Sequence, residues 1–152
     1  MLDLLEEMTQ VIATLDERHI DYALVGGLAM AVWGFPRATV DIDVLLPAEL
    51  LSPCEEVAES LGYVIKARPM SFSSGAVVIH RRSKPDPEGG DVLMLDMMLV
   101  TPAIQDVWDE REVVEWERGR ISVVSRRCLI KLKRFRSSGT DLDDIARLQE
   151  ER

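Results

Sequence analysis

Cysteine is nearly absent from the 152 residues: Cys54 and Cys128 stand alone, far apart and outside any Cys-x-x-Cys or Cys/His spacing. That excludes a disulfide framework and a thiolate zinc site, and leaves two reduced core thiols of a cytosolic protein. Histidine is as scarce, and His19 and His80 have no partners at ligand spacing. Net positive charge is missing too. At −9 the chain cannot present a general nucleic-acid-coating surface, which needs clustered Lys and Arg. No apolar run exceeds strand length, so no transmembrane span is expected. The acidic, amphipathic start lacks the basic and apolar regions of a signal peptide. A cytoplasmic protein with no membrane partner is the expectation. Repeats, low-complexity tracts and linkers are also lacking.

What is present is 47% apolar and 30% charged residues, the profile of a soluble globular chain long enough to bury a core as one domain spanning 1–152. Charge is unevenly placed. Arg126, Arg127, Lys131, Lys133, Arg134 and Arg136 fall in an acid-free stretch that could meet an anionic substrate locally.

Leu4, Leu5, Met8, Val11, Ile12 and Leu15 repeat at helical spacing, with Asp3 and Glu6 as caps. Tyr22 to Val25 reads as a buried strand running into a Gly26-Gly27 turn. A short helix follows through Trp33 and ends at Gly34. Ala38 to Leu46 is the next strand, stopped by Pro47. Ser52-Pro53-Cys54-Glu55 predicts a capped helix ending at Gly62. Phe72 to Ile79 reads as a strand, Lys84 to Gly90 as a loop, and Val92 to Val100 as a central strand apolar on both faces. Glu112 to Val124 predicts a hairpin turning at Arg118-Gly119. Two helices over about 126–150 finish the chain and pack on the domain, the second capped by Thr140 with Asp143. Trp33, Trp108 and Trp116 are expected in the core or at its margin. This order implies an α+β or α/β domain with a mixed central β-sheet flanked by helices.

Three features carry chemistry. Strand side chains at i and i+2 share a face, so Asp41 and Asp43 point the same way with Thr39, while Val40, Ile42 and Val44 pack oppositely. Two adjacent carboxylates repel unless a cation neutralises them, and an oxygen-rich pair suits Mg²⁺ or Mn²⁺ completed by substrate phosphates. Gly26-Gly27, between strand and helix, suits close approach of a phosphate. Asp96, isolated in an apolar strand, is costly there unless paired with a cation or an arginine. Each feature alone also fits an ordinary edge strand, turn or buried ion pair.

Their order resembles the DNA polymerase beta-like nucleotidyltransferase superfamily. The segment from Val25 to Asp43, with Arg37-Ala38-Thr39 ahead of the acids, resembles its small prokaryotic branch, which includes AbiEii-type toxins. Leu129-Ile130-Lys131-Leu132-Lys133 followed by Asp141 to Ile145 resembles that branch again. The resemblance implies a nucleotidyltransferase fold and transfer of a nucleoside monophosphate from an NTP such as ATP to an acceptor hydroxyl on tRNA or other RNA, a protein or a small molecule. It implies that Asp41, Asp43 and Asp96 are catalytic and bind Mg²⁺ (or Mn²⁺), with Asp96 helping deprotonate the acceptor. It implies nucleotide binding by Gly26, Gly27, Arg37 and Thr39, and a toxin role beside an antitoxin partner. Leu28 stands where many members place a serine, leaving only backbone donors there.

On a helical wheel Cys128, Leu129, Leu132 and Phe135 form an apolar face that Lys133 flanks. Lys133 therefore either reaches the triphosphate or Asp141, or snorkels at the core edge. Two other classes fit part of the pattern. One is a catalytically weak module of the same fold that binds nucleotide or a partner protein. The other is a glycosyltransferase, disfavoured by the short chain and the glycine pair.

Overall fold

The computed structural model describes residues 2–35, 39–116, 118–136 and 148–149. The first helix, α1 (Leu4–Glu17), begins where the sequence places it, with Asp3 accepting hydrogen bonds from the backbone N–H groups of Leu5 and Glu6. Its apolar stripe, Met8, Val11, Ile12 and Leu15, is buried. Strand β1 (Ala23–Val25) runs directly into α2 (Gly26–Val32). Strand β2 (Asp41–Leu46) follows, then α3 (Leu51–Ser60), β3 (Ile65–Lys66) and β4 (Met70–Phe72). The long strands β5 (Val77–Pro85) and β6 (Val92–Leu99) come next. A short helix α4 (Gln105–Asp109), the hairpin β7 (Glu112–Trp116) and β8 (Gly119–Val123), and α5 (Arg126–Arg136) complete the described chain.

The strands form one eight-stranded mixed sheet in the order β3-β5-β6-β2-β1-β8-β7, with β4 paired to β5. Strand β2 is antiparallel to β1 and parallel to β6, and β6 is antiparallel to β5. The expected mixed sheet with flanking helices is what the chain adopts. Side chains alternate across it. Ile42, Val44 and Leu46 on β2 and Leu95 and Met97 on β6 are fully buried on one face. Helices α1 and α3 pack on each other and on β2 and β6. The opposite face carries the acids.

Several local expectations are corrected. The helix at Ser52 starts earlier, at Leu51, because a 3₁₀ turn at Ala48–Leu50 after Pro47 already winds the chain; no side chain caps it. Pro53 is tolerated because helix N–H groups this near the start have no partner to lose. Phe72 to Ile79 is not one strand. Ser73 and Ser74 adopt φ of 51° and 55° and Gly75 89°, which turns the chain between β4 and β5. Strand β5 then continues to Pro85, through residues whose polar character disguised it. Val40 is 55% exposed rather than packed with Ile42 and Val44, because strand geometry begins only at Asp41.

Both thiols are buried and unpaired, and burial pushes the Cys54 thiol up to about 12. Trp33 donates its indole N–H to the Val124 carbonyl at 2.9 Å, and Trp108 is buried. Arg37, and the expected final helix with Thr140, Asp141 and Asp143, lie outside the described residues. No helix among the described residues is long and apolar enough to cross a membrane.

Candidate active site

The sheet register aligns the site. Val25 pairs with Asp43, Asp43 with Asp96, and Asp96 with Arg81, one row across β1, β2, β6 and β5. One carboxylate oxygen each from Asp41, Asp43 and Asp96 lies within 4.8 Å of the others. Three hard oxygen donors converging this closely suit a divalent cation of the Mg²⁺ or Mn²⁺ kind, and without counter-charge they repel.

Part of that counter-charge comes from Arg81, which the sequence reading did not single out. Its Nε donates to Asp96 Oδ1 at 2.7 Å and its Nη2 to Asp96 Oδ2 at 2.8 Å. Hydrogen bonding to Asp96, and the charges of Asp41 and Asp43, hold the guanidinium above its ordinary pKa. Both views of Asp96 therefore meet in one residue: it is a buried acid paired with an arginine, and it faces the other acids. Arg81 was legible in principle. Counting outward equally from the Asp86–Asp91 loop pairs it with Asp96, once β5 is seen to reach Pro85.

The glycine turn presses on the acids. Gly26 has φ +71°, a conformation that favours glycine, and a Cβ there would lie 2.2 Å from Asp43 Oδ2. A Cβ on Gly27 would lie 3.0 Å from the Thr39 Cβ. Thr39 sits just before β2, where its Oγ1 accepts from the Asp41 N–H at 3.3 Å. Leu28 is buried in the core, so α2 presents backbone rather than a hydroxyl to this cleft.

These constraints make a paired prediction. Gly26→Ala should lose about 1–3 kcal/mol in chemical denaturation from its backbone alone, and should also weaken Mn²⁺ binding by displacing Asp43. Gly34→Ala meets a similar positive φ with nothing within 4 Å, so it should lose stability while binding Mn²⁺ as the wild type does. Equal Mn²⁺ affinities for the two variants would show that the turn does not set the position of Asp43.

Lys133, on α5, is 4% exposed and lines the same cavity as Gly26, Gly27, Thr39 and the three acids. It points into the body of the protein, as its wheel position requires. Asp41, Asp43, Asp96, Gly26, Gly27, Thr39 and Lys133 are thus brought together, and Arg37 lies outside the described residues.

Twelve solved chains match this fold. A lincosamide antibiotic adenylyltransferase, LnuA, bound to lincomycin, aligns with a TM-score of 0.61 at 17% identity over 95% of this chain and 96% of that one. The chain has the nucleotidyltransferase fold. A Thermotoga maritima protein proposed to be a nucleotidyltransferase gives 0.58 at 18% identity, covering 94% and 91%. ANT(2″)-Ia in complex with adenylyl-2″-tobramycin gives 0.59 at 19% identity, covering 91% and 83%. No protein-family model and no curated protein matches the sequence.

Proposed function

We propose that the protein is a divalent-metal-dependent nucleotidyltransferase that moves a nucleoside monophosphate from an NTP to an acceptor hydroxyl and releases pyrophosphate. The observation that carries this reading is the convergence of Asp41, Asp43 and Asp96 beside the Gly26-Gly27 turn. The three aspartates would hold Mg²⁺ or Mn²⁺, which supplies Lewis-acid polarisation of the α-phosphate and charge stabilisation of the leaving oxygen. Gly26 and Gly27 would receive the β- and γ-phosphates through backbone N–H groups, and Lys133 would supply positive charge to them. Thr39 supports the Asp41 backbone and fills the space that Gly27 leaves open. Arg37 would add a further phosphate contact.

In the transfer step the acceptor oxygen bonds to the α-phosphorus. The bond from that phosphorus to the bridging oxygen breaks, and pyrophosphate leaves with the electron pair. The hydroxyl proton passes toward Asp96, whose carboxylate plane Arg81 fixes through two parallel hydrogen bonds. The AbiEii-type toxin role and its antitoxin partner rest on the sequence resemblance alone.

The test is incubation with each α-³²P-labelled NTP and fractionated RNA, protein and small molecules. Label should enter one acceptor fraction only with Mg²⁺ or Mn²⁺, with one pyrophosphate released per transfer. Calorimetric NTP binding with no transfer to any fraction would instead favour a binding module of the same fold. Lys133→Met, close to isosteric, should weaken NTP binding about ten- to a hundredfold by loss of a charge-assisted contact. Unchanged calorimetric affinity would place Lys133 in the core margin only.

A further inference from the structure

Beyond the acids, the cavity has a second, apolar half. Met98 on β6 and Ile79 and Val77 on β5 follow Asp96 and Arg81 at two-residue steps, so they share the acids' face of the sheet. Met70 and Phe72 on β4, paired with Ile79 and Val77, extend that wall. Leu129 and Leu132 of α5 close it from above, and the Ser73 hydroxyl ties the β4–β5 turn to α5 by donating to the Phe135 carbonyl at 2.8 Å.

The position of this wall relative to the acids gives it a role. Reading across the sheet, the glycine turn ends β1, Asp43 lies on β2, Asp96 on β6 and Arg81 on β5, and the wall lies two to four residues along β6, β5 and β4 from the Asp96–Arg81 end of that row. In-line displacement puts the attacking and leaving oxygens on opposite sides of the phosphorus. If the glycine turn takes the leaving pyrophosphate, the attacking hydroxyl comes from the Asp96–Arg81 end of the row, which the apolar wall adjoins.

We propose that this wall is the acceptor subsite and that the acceptor is a small hydroxylated compound with an apolar, ring-sized body. The proposal rests on the nucleotidyl-transfer reading above. The whole cavity, acids and wall together, measures about 140 Å³, and an apolar cavity of about 150 Å³ takes a benzene ring, so the wall's share of it takes one small ring at most. Among the described residues the wall itself carries no acid, so a polycationic acceptor finds no counter-charge on it.

The experiment uses 2-phenylethanol as probe, with the protein saturated with ATP and Ca²⁺, followed through the ¹³C-methyl NMR signals of Met70 and Met98. Those two signals should shift and saturate while ATP remains bound. Phe72→Ala, a half-buried edge-strand position, should weaken the probe about tenfold or more and leave calorimetric ATP affinity unchanged. In labelling assays, radiolabel from α-³²P-ATP should enter 2-phenylethanol and related aryl alkanols in preference to RNA or tobramycin. Displacement of the probe by ATP would assign the wall to the nucleobase and overturn the proposal. Transfer to RNA or tobramycin alone would overturn it too, while leaving nucleotidyl transfer intact. Absence of ATP binding in calorimetry would overturn the nucleotidyl-transfer reading itself, and the acceptor assignment with it.

Discussion

Asp43→Asn is expected to reduce nucleotidyl transfer by about a thousandfold, the several kcal/mol that a correctly held metal contributes to transition-state charge. Asp43 occupies the centre of the site in every sense the structure offers. It pairs with Val25 ahead of the glycine turn on one side and with Asp96 on the other, and its Oδ2 abuts the space above Gly26. Asparagine keeps its size, so packing against Gly26 survives. What goes is one of the three carboxylates that would hold the metal. Removing it also relieves repulsion among like charges, so the metal-free melting temperature should not fall. Removal of a kcal/mol of repulsion would raise it by roughly 2–4 °C. The two readouts move in opposite directions, which separates a lost ligand from a damaged fold. An Asp43→Asn protein that still labels its acceptor in a Mg²⁺-dependent way would remove the carboxylates from the proposed mechanism.

The acids could be read from the sequence because strand periodicity is strict. Two aspartates at i and i+2 must share a face, and an aspartate isolated in Val92–Leu99 must find a cation. Gly26 was legible for a similar reason, since a turn between strand and helix needs its freedom. Arg81 was legible only by counting back from the Asp86–Asp91 loop. Its partner lies across a hairpin whose near strand reads as ending at Ile79, because His80 to Lys84 are polar. The apolar wall was hidden at the other end of the same strand, where the Ser73–Gly75 turn splits what looks like one continuous run, since Met70 joins the wall only through pairing with Ile79. Serine at positive φ leaves little trace in composition. Lys133 was half legible: helical spacing gave its direction, but only the packing of α5 over the sheet shows that it reaches the acids' cavity.

Arg81→Met should cost about 3 kcal/mol of stability in metal-free buffer, near the lower end for breaking a buried ion pair. The Asp96 side chain is 6% exposed and that of Arg81 31%, so the carboxylate carries most of the desolvation and the guanidinium retains some water. Methionine preserves the bulk of the stem and deletes both hydrogen bonds, leaving Asp96 facing Asp41 and Asp43 with less counter-charge. A divalent cation then becomes the stronger stabiliser. Titration with Mg²⁺ should raise the melting temperature of Arg81→Met by more than it raises that of the wild type. Transfer should nonetheless remain about a hundredfold low at saturating metal, because Asp96 loses the fork that aims it and small displacements of a reacting group are costly. Arg81→Lys separates the two effects. It returns the charge, and with it most of the metal-free stability, but a single ammonium cannot reproduce the bidentate geometry, so transfer should stay low. If Arg81→Met melts with the wild type and responds to Mg²⁺ no more strongly, the pair contributes no stability and Arg81 does not serve as the site's counter-charge.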